Sequence, residues 1–461
     1  MRARGPTSGT RLTLRSVAQR LLADISPLRA YPTYRRMWAG ETVSALGSQI
    51  TATAVPLQVY DITHSSFQVG LASLVALVPL VACGLLGGAI ADAVDRRRLA
   101  LVTSSGLAAV SAGLLLFALV AGGAGPVWPL FCLIAVQSAL VSVDGPARRA
   151  MTPNLVPLRE LPAATALQQI GWNTALTAGP LIAGMSVTAG GYTLAYTLDL
   201  ATFVAALYSL ARLPPMPPQG GGRRAGRASI GEGLAFLGGQ PVVLMTFVVD
   251  IIAMIFGMPR ALFPELARTQ FDGGTTTASM LYSAVAAGAL LGAGLSGPLG
   301  RINRQGLAVV VAIVVWGGAI AGFGLTHTLA VGVLLLALAG AADMVSAVFR
   351  TSILNVATPD AMRGRLQGVF LVVVAGGPRL GDLEAGSAAA LVSPAFSVVS
   401  GGLTCIGGLL LATAAVPALR RYDAREAIAK AEATTSAHVH EQASPDAAAS
   451  TRPSRLEISQ Q

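Results

Sequence analysis

The sequence predicts an all-α polytopic membrane protein of about twelve spans, arranged as two related bundles of six with both termini in the cytoplasm. Three observations predict it: an apolar composition, apolar segments that recur along the chain, and arginines confined to alternate connections. The 461 residues are 53% hydrophobic and 12% charged, with a mean hydropathy of +0.64. That exceeds what a soluble domain needs to fill a core. Apolar segments recur from Met37 to Leu419 with no polar domain between them, each near the roughly 20 residues that cross a hydrocarbon core.

The elements follow in order. The first 36 residues carry eight arginines and one acid, with Leu14, Val17, Leu21 and Ile25 at helical spacing opposite Arg11, Arg15 and Arg20. This predicts an amphipathic helix lying on the anionic inner leaflet. No compact apolar region with a small-residue cleavage site precedes the first span, which argues against a signal peptide. Spans one to six are expected near 38–59, 67–91, 99–121, 127–147, 162–184 and 191–212, an N-terminal bundle over 37–213. Asp61 to Ser65, Gly122 to Pro126 and Gly190 with Gly191 punctuate them.

A cytoplasmic linker over 214–240 comes next, "PPMPPQGGGRRAGRASIGEGLAFLGGQ", where Pro and Gly clusters stop regular structure. Spans seven to twelve are expected near 242–264, 277–299, 306–325, 329–350, 366–392 and 395–418, a C-terminal bundle over 241–420. Their punctuation is Asp272 to Thr275, Thr326 to Thr328, and Ser393 with Pro394. Residues 421–461, rich in Ala, Ser and Glu, predict a disordered cytoplasmic tail.

Arginine sets the orientation. One alternate set of connections holds Arg96 to Arg98, Arg148, Arg149, Arg159, Arg212, Arg223, Arg224, Arg227, Arg301, Arg304, Arg350, Arg363 and Arg365. On the opposite side Arg268 is the clear exception, with Arg260 near the outer part of its span. Positive-inside bias therefore places both termini in the cytoplasm. The net charge of +10 has its cause in topology, and no aromatic-flanked basic patch suggests a nucleic-acid surface. The halves look related: "RRAMTPNLVPLRELPAATAL" and "FRTSILNVATPDAMRGRLQG" align Arg149 with Arg350 and Asn154 with Asn355. "ADAVDRRRLALV" likewise resembles "LGRINRQGLAVV". Both matches fall at equivalent span ends, as a parallel duplication requires.

The chemistry is narrowed by what is missing. Cys83, Cys132 and Cys405 fall inside expected spans and read as small buried apolar residues, without a CxxC site. The four histidines sit in outer loops or the tail, so no membrane-embedded imidazole is expected for haem or zinc, and neither a metal nor a cofactor is implied. Lys430 is the only lysine, which leaves neither a Walker A lysine nor a Schiff-base lysine. The chain is not expected to be an enzyme or to hydrolyse ATP, and solute movement would draw on a gradient.

"GGAIADAVDRRRLA" resembles the loop between spans two and three of the major facilitator superfamily, through Gly88, Asp92, Arg96 and Arg97, with departures at Ala93 and Asp95. The resemblance implies the major facilitator fold and a cytoplasmic gate in which the loop arginine pairs with an acid at the inner end of span four, where Asp144 stands. "TAGPLIAG" in span five resembles the superfamily's antiporter element through Gly179, Pro180 and Gly184. Physically, the two glycines allow close helix contact, and Pro180 frees a carbonyl and bends the helix. Span four has Gln137 but Ile134 where the family carries an arginine, so that proton route is not carried over.

In span eleven, "GGPRLGDLEAG" puts Arg379, Asp382 and Glu384 near mid-membrane after a Gly-Gly-Pro expected to kink the helix. An ionised side chain at the bilayer centre costs about 2.5 to 3.5 kcal/mol on insertion scales, so three need partners or water. At about 100° per residue Asp382 lies one turn from Arg379, and Glu384 points roughly 140° away. One arginine neutralises one acid, and Glu384 is the proton-carrier candidate. The other reading of Arg379 with Asp382 is an ion pair that fixes span eleven to a neighbour. Glu41 in span one, Asp199 in span six, Asp250 in span seven and Asp343 in span ten are further intramembrane acids, each needing a partner or a cavity. Gln49, Gln58, Gln137, Asn173 and Arg260 are candidates to line a polar cavity.

Beyond the superfamily, "GETVSALGSQITATAVPLQVYDITHSSFQVG", "GMPRALFPELA", "ADMVSAVFRTSIL" and "GGPRLGDLEAG" resemble the enterobactin-exporter-like branch, which also includes macrolide and other multidrug pumps. The resemblance implies a proton-driven exporter of a siderophore or hydrophobic drug-like small molecule across the bacterial inner membrane, and a monomer is expected. A cationic drug suits an acid-rich cavity, and an anionic siderophore would need Arg379 or Arg260. A same-fold importer and a non-transporting sensor or enzyme are the rival readings.

Overall fold

The computed structural model describes residues 24–121, 125–217, 235–294, 297–358, 360–427 and 429. Most of the expected N-terminal amphipathic helix, residues 218–234 of the linker and nearly all of the tail lie outside the described residues, as do the side chains of Gly88 and Asp92. Among the described residues there is no strand. The helices are α1 Ser26–Ala30, α2 Pro32–Thr63, α3 Ser66–Ala93, α4 Arg96–Ala121, α5 Trp128–Met151 and α6 Leu161–Ala211. They continue as α7 Pro241–Phe256, α8 Phe263–Thr269, α9 Thr275–Gly294, α10 Gln305–Leu325, α11 Leu329–Ala357, α12 Asp360–Leu391 and α13 Pro394–Ala415.

Nine helical stretches among the described residues are long and apolar enough to cross a membrane. One of them, Leu158–Ala211, has 54 residues, and a helix of that length would run about 80 Å, far beyond a core of about 30 Å. It is broken at Gly190 and Gly191, where Gly191 has φ +65° and ψ −170°, a conformation open essentially to glycine alone. Helices α2 and α12, of 32 residues each, have the length but are less apolar than the other long helices. Prolines in the first turn start α2, α7 and α13, where a missing N–H costs nothing and φ is already helical. Ser393 caps α13, its hydroxyl accepting from the Phe396 N–H at 3.2 Å.

The structure moves two expected boundaries. The first membrane helix starts at Pro32, so Arg35 and Arg36 belong to it. Span seven, expected unbroken to residue 264, stops at Phe256 and resumes through a short 3-10 turn, Arg260–Leu262, and α8. Gly257 sits at that break, packed so that a Cβ would meet the Trp316 indole. Of the cysteines expected to be buried, Cys405 is, Cys83 is half-buried and Cys132 is exposed.

By its internal contacts the chain divides into two units, Met1–Arg224 with Phe263–Ala286, and Ala225–Leu262 with Ala287–Gln461. In the first unit, Tyr34, Met37, Met151, Leu167, Leu210 and Leu213 form a buried cluster. The Tyr34 hydroxyl donates to the Ala164 carbonyl at 2.8 Å, and the Trp38 indole to that of Leu167 at 2.9 Å. Leu57, Ala267 and Ala278 pack together in the same unit, which accounts for the residues after 262 that join it. In the second unit, α10 and α13 meet through Gly317 and Gly402, where added Cβ atoms would come within 2.8 and 2.6 Å of the facing carbonyls. Lipid tails are as apolar as leucine, so close small-residue contact of this kind drives helix association in a bilayer.

Candidate functional site

In the second unit, three charged side chains converge on one point. Arg350 lies inside α11, its side chain 11% exposed, and ion-pairs both with Asp250 of α7 and, at 3.4 Å, with Asp343 of its own helix. Asp343 and Arg350 are seven residues apart, which places them on one helix face two turns apart. The Asp250 side chain is 6% exposed and that of Asp343 35%. Two carboxylates thus share one guanidinium, and the more loosely held one is the more exposed.

Arg350 is the residue sequence reasoning missed. It was counted with the connection arginines that set orientation, and the structure corrects this: it is a buried partner for two of the intramembrane acids. The signal was present, since an acid and an arginine seven apart inside an apolar 29-residue helix share a face.

Two of the span-eleven trio, Asp382 and Arg379, lie by the break in span seven. That break leaves backbone N–H groups without helical partners, and the Asp382 carboxylate accepts from the Ala261 N–H at 3.1 Å. Gly381 next to it lets α12 approach the Met254 and Ile255 backbone. Arg379 donates to the Ala375 carbonyl at 2.7 Å and lies within electrostatic reach of Asp382 and Arg260. Glu384 is half-buried, with no hydrogen bond or ion pair among the described residues.

The first unit holds its acids differently. Asp144 ion-pairs with Arg148 one turn on, at 2.5 Å, and both are buried. Thr103 donates to Asp144 at 2.5 Å, and Arg148 donates to Ser104 Oγ at 2.8 Å. The expected partners for Asp144, Arg96 and Arg97, are engaged elsewhere. Arg96 donates to the Ala150 carbonyl at 3.1 Å, and Arg97 to those of Leu210 and Ala211 at 3.1 and 2.7 Å. They cap the last turns of α5 and α6, where carbonyls lack helical donors and cations are favoured. Arg148, read from sequence as a connection residue, is corrected to a buried helix residue.

Glu41 accepts from the Gln168 amide at 3.2 Å, beside a cavity of about 30 Å³ lined by Trp38, Gln168 and Trp172. Asp199 is fully buried. Its Oδ2 accepts from Thr51 and Ser111, both at 2.7 Å, and its Oδ1 has no partner among the described residues. Gln58 accepts from the Tyr196 hydroxyl at 2.6 Å. Gln137 is half-buried without a hydrogen bond among the described residues, and Asn173 accepts from Gln169 at 3.0 Å. Gly179 packs against the Gln49 side chain, and a Cβ on Gly184 would lie 2.6 Å from Ser279. Pro180 between them lies inside α6.

At the end of the first unit predicted to face outward, Asp61 ion-pairs with Arg268 and accepts from the Tyr192 hydroxyl at 2.6 Å. The Arg268 guanidinium lies 5.4 Å from the Tyr60 ring centre, and Ser66 donates to Glu265. The one clear exception to the arginine bias therefore has a local reason.

A model of the transmembrane secretion effector family matches residues 22–449. The chain belongs to this major facilitator family. The chain is 29% identical over 395 residues to the enterobactin exporters of Shigella boydii serotype 18 and Escherichia coli O81, covering 85% of this chain and 94% of each relative. It is 28% identical to that of Citrobacter koseri over the same shares. Its fold is similar to a bacterial homologue of the iron transporter ferroportin in an inward-facing state, with TM-score 0.64, 14% identity, and 85% and 99% of the two chains covered. It is also similar to a D-xylose–proton symporter, with TM-score 0.66, 14% identity, and 84% and 99% covered. The chain is a multi-pass membrane transporter of the bacterial inner membrane.

Proposed function

We propose that this protein is a proton-coupled antiporter that exports a siderophore or a hydrophobic drug-like molecule by alternating access, working as a monomer. Splitting Leu158–Ala211 at its glycine break and adding α2 and α12 to the apolar stretches supports twelve spans, and an even number puts both termini on the cytoplasmic side with the arginine bias.

The observation that carries the reading is the sharing of Arg350 by Asp250 and Asp343. One guanidinium charge neutralises one carboxylate, and the second, the more exposed of the two, is the one free to exchange a proton when its hold on the arginine loosens. Asp343 is the carrier this geometry favours. Glu384, half-buried and without a partner among the described residues, is the second site on the same unit, while Glu41 and Asp199 are the corresponding candidates of the first. The enterobactin exporters among the relatives support an exported siderophore, and the excess of acids over arginines supports a cation.

Direction and cargo are tested together by expressing the chain in cells that lack their own exporters. Lower cellular retention of enterobactin or of ethidium, reversed when the proton gradient is collapsed, is expected. Raised retention of both would replace export with import, and no change for a range of siderophores and cationic dyes would count against transport of either class.

A further inference from the structure

We propose that the first unit carries a binding site for one anionic glycerophospholipid, on the seam between α2 and residues 192–211 of α6. A groove of about 550 Å³ runs there, lined by Gly40, Val43, Ala201, Val204, Tyr208 and Ser209 among others. Val43 is 39% exposed, Val204 60% and Tyr208 63%, so the walls are apolar surface that only hydrocarbon covers favourably.

What sets this groove apart is its charged end. The two helices run in opposite directions and touch at Gly40, where an added Cβ would come within 2.7 Å of the Ser209 Cβ. From that crossing, Arg36 lies four residues back along α2 and Arg212 three residues on along α6. Each is about one turn further in the same direction, so the two arginines close the same end of the groove. Both side chains are exposed and neither has an ion pair among the described residues. The Arg212 guanidinium sits 4.9 Å from the centre of the Tyr208 ring, which holds it at the groove mouth. The adjacent acid, Glu41, is turned to Gln168.

Two like charges on facing helices at the end of an apolar slot call for an anion with a tail. A phosphodiester between the guanidinium forks meets their geometry, and an acyl chain fills the slot beside the small side chains. The leaflet is the inner one in the orientation proposed above, where anionic lipids meet basic sites between helices; binding itself does not depend on that orientation or on transport.

The test is native mass spectrometry of the purified full chain, delipidated and offered phosphatidylglycerol and phosphatidylcholine with identical acyl chains. One retained phosphatidylglycerol, preferred roughly thirtyfold, is expected, the ratio for about 1 kcal/mol from each of two arginines. An Arg36→Gln, Arg212→Gln variant should bind the two lipids alike, and the double lysine variant should keep most of the preference. Equal retention of both lipids by the unaltered chain, or an undiminished preference in the glutamine variant, would overturn the site. So would displacement of phosphatidylglycerol by a neutral lipophilic dye in the glutamine variant and the unaltered chain alike, which would mark the groove as a cargo portal.

Discussion

Arg350 is held by two carboxylates at once, closed on Asp250 and 3.4 Å from Asp343. The two bonds differ in burial, and that difference separates stability from coupling. An Arg350→Met variant leaves Asp250 buried without a counterion, which should lower stability by about 3–5 kcal/mol. Thermal unfolding in detergent should show a large drop in Tm for Arg350→Met, and recovery of most of it in Asp250→Asn, Arg350→Met, where only the more exposed Asp343 has lost its counterion.

The Asp144, Arg148, Thr103 and Ser104 network joins α4 to α5. Replacing Thr103 by Val removes one donor to a buried carboxylate and should cost about 1–3 kcal/mol. Asp144→Ala should cost more, since Arg148 keeps its charge in a site that is 6% exposed. Chemical denaturation followed by tryptophan fluorescence measures both.

How much of this was legible in the sequence depends on which link of the chain is asked about. Helical class and the position of most spans follow from apolar length alone, and the Gly190–Gly191 break was marked by its dipeptide. The discontinuity in span seven was less visible, because Gly257 and Pro259 stand in a segment whose hydropathy is otherwise continuous. The candidate acids stand out by their cost in a bilayer, a property of one residue. Their partners were not, because Arg350 and Arg148 near span ends satisfy an orientation rule and a buried pairing equally well, and only the third dimension tells these apart. The loop arginines were misjudged for the opposite reason: a family pairing with Asp144 was carried over, while the local demand of the helix-terminal carbonyls at Ala150, Leu210 and Ala211 took them.

Asp61 and Arg268 are 29% and 39% exposed, so Arg268→Gln should change stability by only about 0–1 kcal/mol. Its effect should lie in access. With Cys83, Cys132 and Cys405 replaced, a cysteine introduced at Gln58 should react with an impermeant thiol reagent several-fold faster in Arg268→Gln than with the arginine present, and high salt should narrow the difference. Equal labelling rates would remove this pair from any role in closing that end.

A Cβ added at Gly184 would lie 2.6 Å from the Ser279 side chain, and Gly179 lies against Gln49. A Gly184→Val variant overpacks this seam and should cost about 1–3 kcal/mol, visible as reduced Tm. A Ser279→Gly change in the same chain should restore part of it, because it clears the atoms that collide.

Asp343 is the proposed proton carrier because the single charge of Arg350 neutralises only one of the two carboxylates it pairs with. Purified protein in proteoliposomes loaded with a pH-sensitive dye measures it directly: addition of a transported cation should drive proton release in the unaltered chain and none in Asp343→Asn, whose Asp250–Arg350 pair and thermal stability stay intact. Undiminished proton release from Asp343→Asn would contradict the account.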